Sequence, residues 1–293
     1  MRRVIKTCGG IGGFAGLCLI VMLVLVALLA PWLAPFDPLR VDMLNALQPP
    51  DWVHWFGTDQ SGRDVLSRAM WGARASLQVA TMAVLIGVFL GVALGLIAGY
   101  FSGGWLEQSL MRVLEAMASI PLLIWAIALV GIMGVAPVHF AGLSFGNEIR
   151  LSMLLGLLYI PTLARLTYTA ALSEAQSNYV AARRLQAVPE IRIMLSDVMP
   201  NCLSPVIVQA TLLLAIGIVI EASVSFVGLG IQPPRPGWGN MLADSRNYLL
   251  SGEWWLSVFP GACISMTVIA INLLGDGLRD ALDPRHSPSA MAA

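Results

Sequence analysis

Two aspartates four residues apart, Asp276 and Asp280 in "GDGLRDALDPR", are the pair most suggestive of catalysis, since paired acids in a membrane can signal an aspartyl protease. Here they occupy a charged tail with no catalytic partner. Arg279 follows Asp276 by three residues, the spacing of a local ion pair on one helical face. His54, His139 and His286 are dispersed, and Cys8, Cys18, Cys202 and Cys263 show no C-x-x-C spacing. No catalytic residue and no metal site is expected. The chain also lacks a G-x-x-x-x-G-K-[ST] phosphate loop. One acid remains: Glu221, about the middle of a long apolar run, where a carboxylate is costly and faces protein or water. It would contact substrate or a proton, or it would be hydrogen-bonded by Ser223, Ser225 or a neighbouring helix. Around it Gly217, Ala222, Ser223, Ser225, Gly228 and Gly230 permit close helix approach, which makes this run a candidate pathway or interface.

The elements holding these residues follow from composition. Of 293 residues 57% are apolar and 12% charged, and the mean hydropathy is +0.77. Soluble domains carry about 25% charged residues. Net charge is zero, which disfavours nucleic acid as a partner. A membrane-spanning helix needs about 20 apolar residues, and six stretches qualify: 12–34, 77–100, 113–135, 151–172, 203–229 and 255–276. The first follows Arg2, Arg3 and Lys6 but is too long for a signal peptide and reads as retained. Arg165, near one end of the fourth, can snorkel to the interface. Trp254 and Trp255 suit an interfacial belt before the sixth. The expected class is an all-α polytopic protein with six crossings.

Loop arginines and lysines set the orientation. With a cytoplasmic N-terminus, the inside set is Arg2, Arg3, Lys6, Arg112, Arg165, Arg183, Arg184, Arg192, Arg279 and Arg285, ten against seven outside. Four of those seven sit in the loop 36–76. Both termini are therefore expected in the cytoplasm.

Between the fourth and fifth crossings stands "NYVAARRLQAVPEIRIMLSDVMPN", 178–201. Ile191, Met194, Leu195 and Val198 fall at i, i+3, i+4 and i+7, an amphipathic stripe. Ala181, Leu185 and Val188 make a weaker one, with Arg183 and Arg184 off it. Pro189 suits a first helical turn and Pro200 the end of the run. Two short helices joined by a bend are expected, docked on lipid or on protein because helices this short are marginal alone. On the other side, Gly57, Thr58, Asp59, Ser61, Gly62 and Asp64 form a turn-rich cluster. Asp64 can begin a helix carrying Arg63, Arg68 and Arg74 toward the second crossing. Asp59, Arg63 and Asp64 are the candidate cap, touching a partner or merely covering the helix ends. Pro233, Pro234 and Pro236 are expected to stop the fifth span.

The 178–201 stretch resembles the cytoplasmic loop by which permeases of ATP-binding cassette importers engage their ATPases. Tyr179, Val180, Ala182, Arg184, Arg192, Ile193, Val198, Pro200 and Asn201 match the peptide and nickel branch. Ala187 replaces the usual glycine, Arg183 the second alanine and Ala181 the acid. "FGTDQSGRDVLSRAMWGARASL" (56–77), "SVSFVGLGIQPPRPGWGNML" (223–242) and "NLLGDGLRDALDPR" (272–285) also resemble the second permease subunit of that branch, in the same order. The resemblance implies a type I importer permease fold in a bacterial inner membrane. Its parts would be 1–35, the N-terminus and first crossing; 36–76, a periplasmic loop with a short helix; 77–284, a five-helix core with the coupling loop 173–201; and 285–293, a cytoplasmic tail. Coupling would rest on Tyr179, Val180, Ala182, Arg183, Arg184, Ala187, Pro189, Arg192 and Pro200. Implied partners are a second homologous permease chain, two cytoplasmic ATPase subunits holding ATP and Mg, a periplasmic binding protein and lipid. This chain would bind no cofactor and would not be an enzyme. Alternatives are an ion-driven secondary transporter, which tends to show repeats not evident here, and an intramembrane enzyme.

Overall fold

The computed structural model describes residues 10–134, 138–140, 143–248 and 250–282. Arg2, Arg3, Lys6, Cys8, Arg285, His286 and the tail lie outside them, as does the side chain of His139. The helices are α1 (Ile11–Leu33), α2 (Val65–Tyr100), α3 (Trp105–Ala118), α4 (Leu122–Met133), α5 (Asn147–Ala175), α6 (Asn178–Leu185), α7 (Glu190–Phe226), α8 (Trp238–Ser245) and α9 (Trp255–Leu282). Before α5 a small antiparallel pair, β1 (Val138–Phe140) and β2 (Leu143–Phe145), interrupts the helical order with Val138 opposite Phe145. Among the described residues five helices are long and apolar enough to cross a membrane, and the count is six when the bent pair α3–α4 is taken as one broken span.

That bent pair corrects the third predicted span. Instead of one helix over 113–135, α3 and α4 meet at 87°. In a straight helix the Met117 carbonyl would accept from residue 121, which is a proline without an N–H. The Trp125 indole N–H donates to Met117 O instead, at 3.0 Å, and the chain turns. The fifth span is also redrawn. It starts at Glu190 and ends at Phe226, not 203–229. Pro200 does not end the run, because Ile193–Val198 form a π turn in which Met199 N–H donates to Met194 O. Pro200 then sits in the first turn of the following α-helical stretch, where a missing N–H costs nothing. The stop at Phe226 precedes the prolines. Gly228, at φ +87°, closes it with N–H bonds from Gly228 to Ser225 O and from Leu229 to Val224 O, a left-handed helix end.

Helix α2 packs on α5 along a ladder of small residues. Gly87, Gly91, Gly95 and Gly99 recur every four residues, so all face one way. A Cβ at each would lie 2.7 Å from Tyr159 Cβ, 2.7 Å from Leu163 Cβ, 2.3 Å from Ala164 O and 2.6 Å from Tyr168 O, respectively. The two backbones are that close. Leu151, Leu155, Tyr159 and Leu163 of α5 then fill the main core with Val79 and Ala83 of α2 and Val224 of α7.

Candidate functional site

At one end of the bundle lies the linker between α5 and α7. Its first half is α6; the turn 186–189 follows, and Pro189 occupies the cap position before α7. Ala187 is left-handed, φ +55°, a conformation costing an alanine about 1–2 kcal/mol more than glycine. Replacing Ala187 by Gly is expected to stabilise the turn by about 1 kcal/mol, read as slower amide exchange over 185–190.

The linker is braced by charge. Arg183 Nε lies 3.0 Å from Asp197 Oδ2, and Arg184 Nε lies 3.2 Å from Glu190 Oε1. The Arg184 guanidinium sits over the Tyr100 ring at 5.6 Å, and Tyr100 OH donates to Glu190. The Tyr100 hydrogen bond, with Glu190, holds the guanidinium above its ordinary pKa. Tyr179 OH donates to Glu174 Oε2 at 2.6 Å; burial first, then Glu174, raises its phenol pKa, so it remains the donor at neutral pH. Val180, Ile193, Met194 and Val198 are buried with Leu96, Tyr100 and Cys202.

Both predicted stripes need correction. The π turn splits the second: Met194 and Val198 face inward, whereas Ile191 and Leu195 are 64% and 46% exposed. In α6 the buried residue is Val180, and Leu185 is 90% exposed. Ala181 is exposed and Val188 half-buried. Arg183 and Arg184 form no free basic face, since each already holds an acid of the same linker. Arg192, Ala182 and Pro200 are exposed.

At the opposite end lies the cap. Asp64 caps α2, its Oδ2 accepting from Ser67 N and Oγ at 2.7 Å. As predicted, a helix begins there; it continues without a break through the second span, to Tyr100. His54, which spacing alone left unassigned, places Nδ1 2.9 Å from Asp64 Oδ1. Asp59 Oδ2 accepts from Arg63 Nε at 2.6 Å and faces Arg68 Nε at 3.4 Å, while Oδ1 accepts from the N–H groups of Ser61 and Arg63. Trp255 is buried, not interfacial, and its indole N–H donates to Thr58 O at 3.2 Å.

Glu221 also moves. It stands near the cap end of α7, not mid-span, and is fully buried. Ser225 Oγ donates to its Oε1 at 2.7 Å and in turn accepts from Ile231 N. Ser223 is half-exposed and donates to Val219 O. A Cβ on Gly228 would meet nothing within 4 Å; that glycine serves the helix end, not close packing. Asp276 and Arg279 form no ion pair among the described residues. No group of three or more metal-ligating side chains occurs among them either.

Comparison with known proteins adds identity to this geometry. The profile of the binding-protein-dependent transport system inner membrane component matches residues 91–288. That of the N-terminal TM domain of oligopeptide transport permease C matches 12–50. The di/tripeptide transport system permease protein DppC of Pseudomonas aeruginosa is 41% identical over 95% of this chain and 90% of its own. The dipeptide transport system permease protein DppC of Escherichia coli is 42% identical over 94% and 89%. A peptide transport system permease protein of Brucella suis, described as putative, is 36% identical over 92% and 86%. With five or six candidate crossings, a braced linker and similarity along nearly its whole length, this chain belongs to the binding-protein-dependent inner-membrane components and is a permease subunit of an ATP-binding cassette importer.

Proposed function

We propose that the chain imports short peptides together with a second permease chain, that the linker faces the cytoplasm with both termini, and that an ATPase subunit docks on the linker. The observation that carries this is the linker's division of labour. Arg183 and Arg184 are each held by an acid of the linker, its inward residues lock it to α2 and α5, and Leu185, Ile191 and Leu195 are left exposed as apolar contacts beside Arg192. Because the second half of the linker runs on into α7, a push on it tilts a whole crossing. ATP and Mg belong to the ATPase subunits, and a binding protein delivers substrate to the cap end. The relatives named for dipeptides and di/tripeptides support the substrate class. Glu221 is given a structural role, so Glu221→Gln is expected to retain uptake.

The test is co-purification of the full complex with Leu185→Glu and Ile191→Glu combined. ATPase recovery and ATP-driven dipeptide uptake are each expected to fall at least tenfold, about 1.4 kcal/mol of coupling. Arg183→Asp should impair coupling through repulsion of Asp197, and adding Asp197→Arg should restore it. Normal ATPase recovery in the double glutamate variant refutes the docking face.

A further inference from the structure

Three oxygens in the core between α2, α5 and α7 have no hydrogen-bond partner among the described residues: Ser76 Oγ, Tyr159 OH and Glu221 Oε2. Each belongs to a side chain with no exposed surface. Leaving a buried polar group unpaired is costly, and each such group calls for a physical account. These three come from different helices and gather in one place. A Cβ at Gly217 of α7 would lie 2.8 Å from Tyr159 OH and 3.4 Å from Ala80 Cβ of α2. The phenol of α5 therefore ends in the notch where Gly217 and Ala80 face each other. One turn nearer the cap, four residues along each helix, the Ser76 hydroxyl of α2 lies beside the Glu221 carboxyl of α7. That rise is about 6 Å, close to the separation of two oxygens joined through one water, about 5.6 Å for two bonds of about 2.8 Å. The other carboxyl oxygen is already engaged, Oε1 accepting from Ser225 Oγ. No arginine, lysine or histidine forms an ion pair with Glu221 among the described residues.

We infer that Ser76, Tyr159 and Glu221 together hold one internal water molecule, which joins α2, α5 and α7 below the cap. The hydrogen count closes. Both hydroxyls donate to the lone pairs of the water, and one of its O–H groups donates to Glu221 Oε2. That makes the three bonds usual for a buried water. A divalent cation does not suit the same oxygens, since calcium and magnesium take six or more ligands and this group offers a single acid with two hydroxyls. The absence of a side chain at Gly217 is part of the site, because any larger residue there presses on the phenol. Glu221→Gln keeps an acceptor at this place, in line with the uptake expected of it. The site lies wholly within this chain, so it depends neither on the solute carried nor on the partner subunits.

The test follows thermal unfolding of the complete purified transporter, because the water reverses the sign expected for Tyr159→Phe. Without it the phenylalanine removes an unpaired hydroxyl, and the complex unfolds at the same temperature or higher. With it a bond is lost, and unfolding is expected about 2–4 °C lower. Ser76→Ala is expected to act alike, and the two changes together to cost less than their sum, since they share one water. A neutral or stabilising Tyr159→Phe overturns the site, and so do strictly additive losses. A density map of the transporter is expected to show one peak within about 3 Å of all three oxygens. A map that resolves other buried waters and shows none here overturns the inference as well. Exchange of sodium for choline at constant ionic strength is expected to leave the unfolding temperature unchanged. A rise in sodium that is lost in Glu221→Gln assigns the place to a monovalent cation and rejects the water.

Discussion

Gly95→Leu is expected to leave almost no folded protein in the membrane, with detergent-extracted monodisperse material reduced at least tenfold. The Cβ alone would lie 2.3 Å from the Ala164 carbonyl oxygen and 2.8 Å from Thr167 Cβ. The first of these is backbone and cannot step aside by a rotamer change, so the two helices must separate. Separation is costly because no hydrophobic force from water holds helices together in lipid; close van der Waals contact does. Overpacking a tight contact costs about 1–3 kcal/mol and occasionally more, and one displaced rung strains Gly87, Gly91 and Gly99 on the same ladder. The control is Gly131→Ala in α4, whose Cβ would meet nothing within 4 Å. It should give the wild-type yield. If Gly95→Leu gave that yield too, the α2–α5 packing described above would be wrong.

Asp59→Ala is expected to destabilise the cap by about 3–5 kcal/mol, the cost of removing one partner from a buried ion network. Arg63 and Arg68 both lean on Asp59 and are nearly inaccessible, and Arg68 Nη1 has no partner among the described residues. Without the carboxylate two cations share a dry site. The backbone turn suffers as well, since Asp59 Oδ1 holds the Ser61 and Arg63 N–H groups where Gly62 turns at φ +70°. Only glycine fits there, a Cβ falling 1.7 Å from Asp42 O. Asp244 provides the contrast. It lies 3.8 Å from Arg63 and its side chain is a third exposed, so Asp244→Asn should cost far less. Burial, opposed by Arg68 and Arg63, raises the Asp244 pKa above its ordinary 3.8. The folded state therefore keeps that proton to higher pH than the unfolded chain. The stability it contributes is complete below 3.8 and lost as pH rises through the raised value, whereas Asp244→Asn removes that pH dependence. Thermal unfolding of the purified complex at several pH values reads both effects. Equal losses from the two substitutions at pH 7 would contradict the ranking.

The amino-acid order determined which stretches enter the membrane, because runs of about 20 residues without charge have one favourable solvent. It also determined the Asp64 cap and the bend before Pro189, both local matters of a side chain or ring meeting its own backbone. What it could not settle was which prolines break a helix. Pro31, Pro161, Pro205 and Pro260 all lie inside helices, yet Pro121 marks a right-angle turn. At Pro121 the carbonyl that the proline leaves free, Met117 O, is taken by the indole of Trp125. Nor could periodicity divide the linker's apolar residues, because a single π turn shifts the register between Ile191 and Val198. The pairing of Glu115 on α3 with Arg165 on α5 escaped it for a related reason. Sequence reports that a residue is polar; only packing decides whether its face meets another helix or is left open.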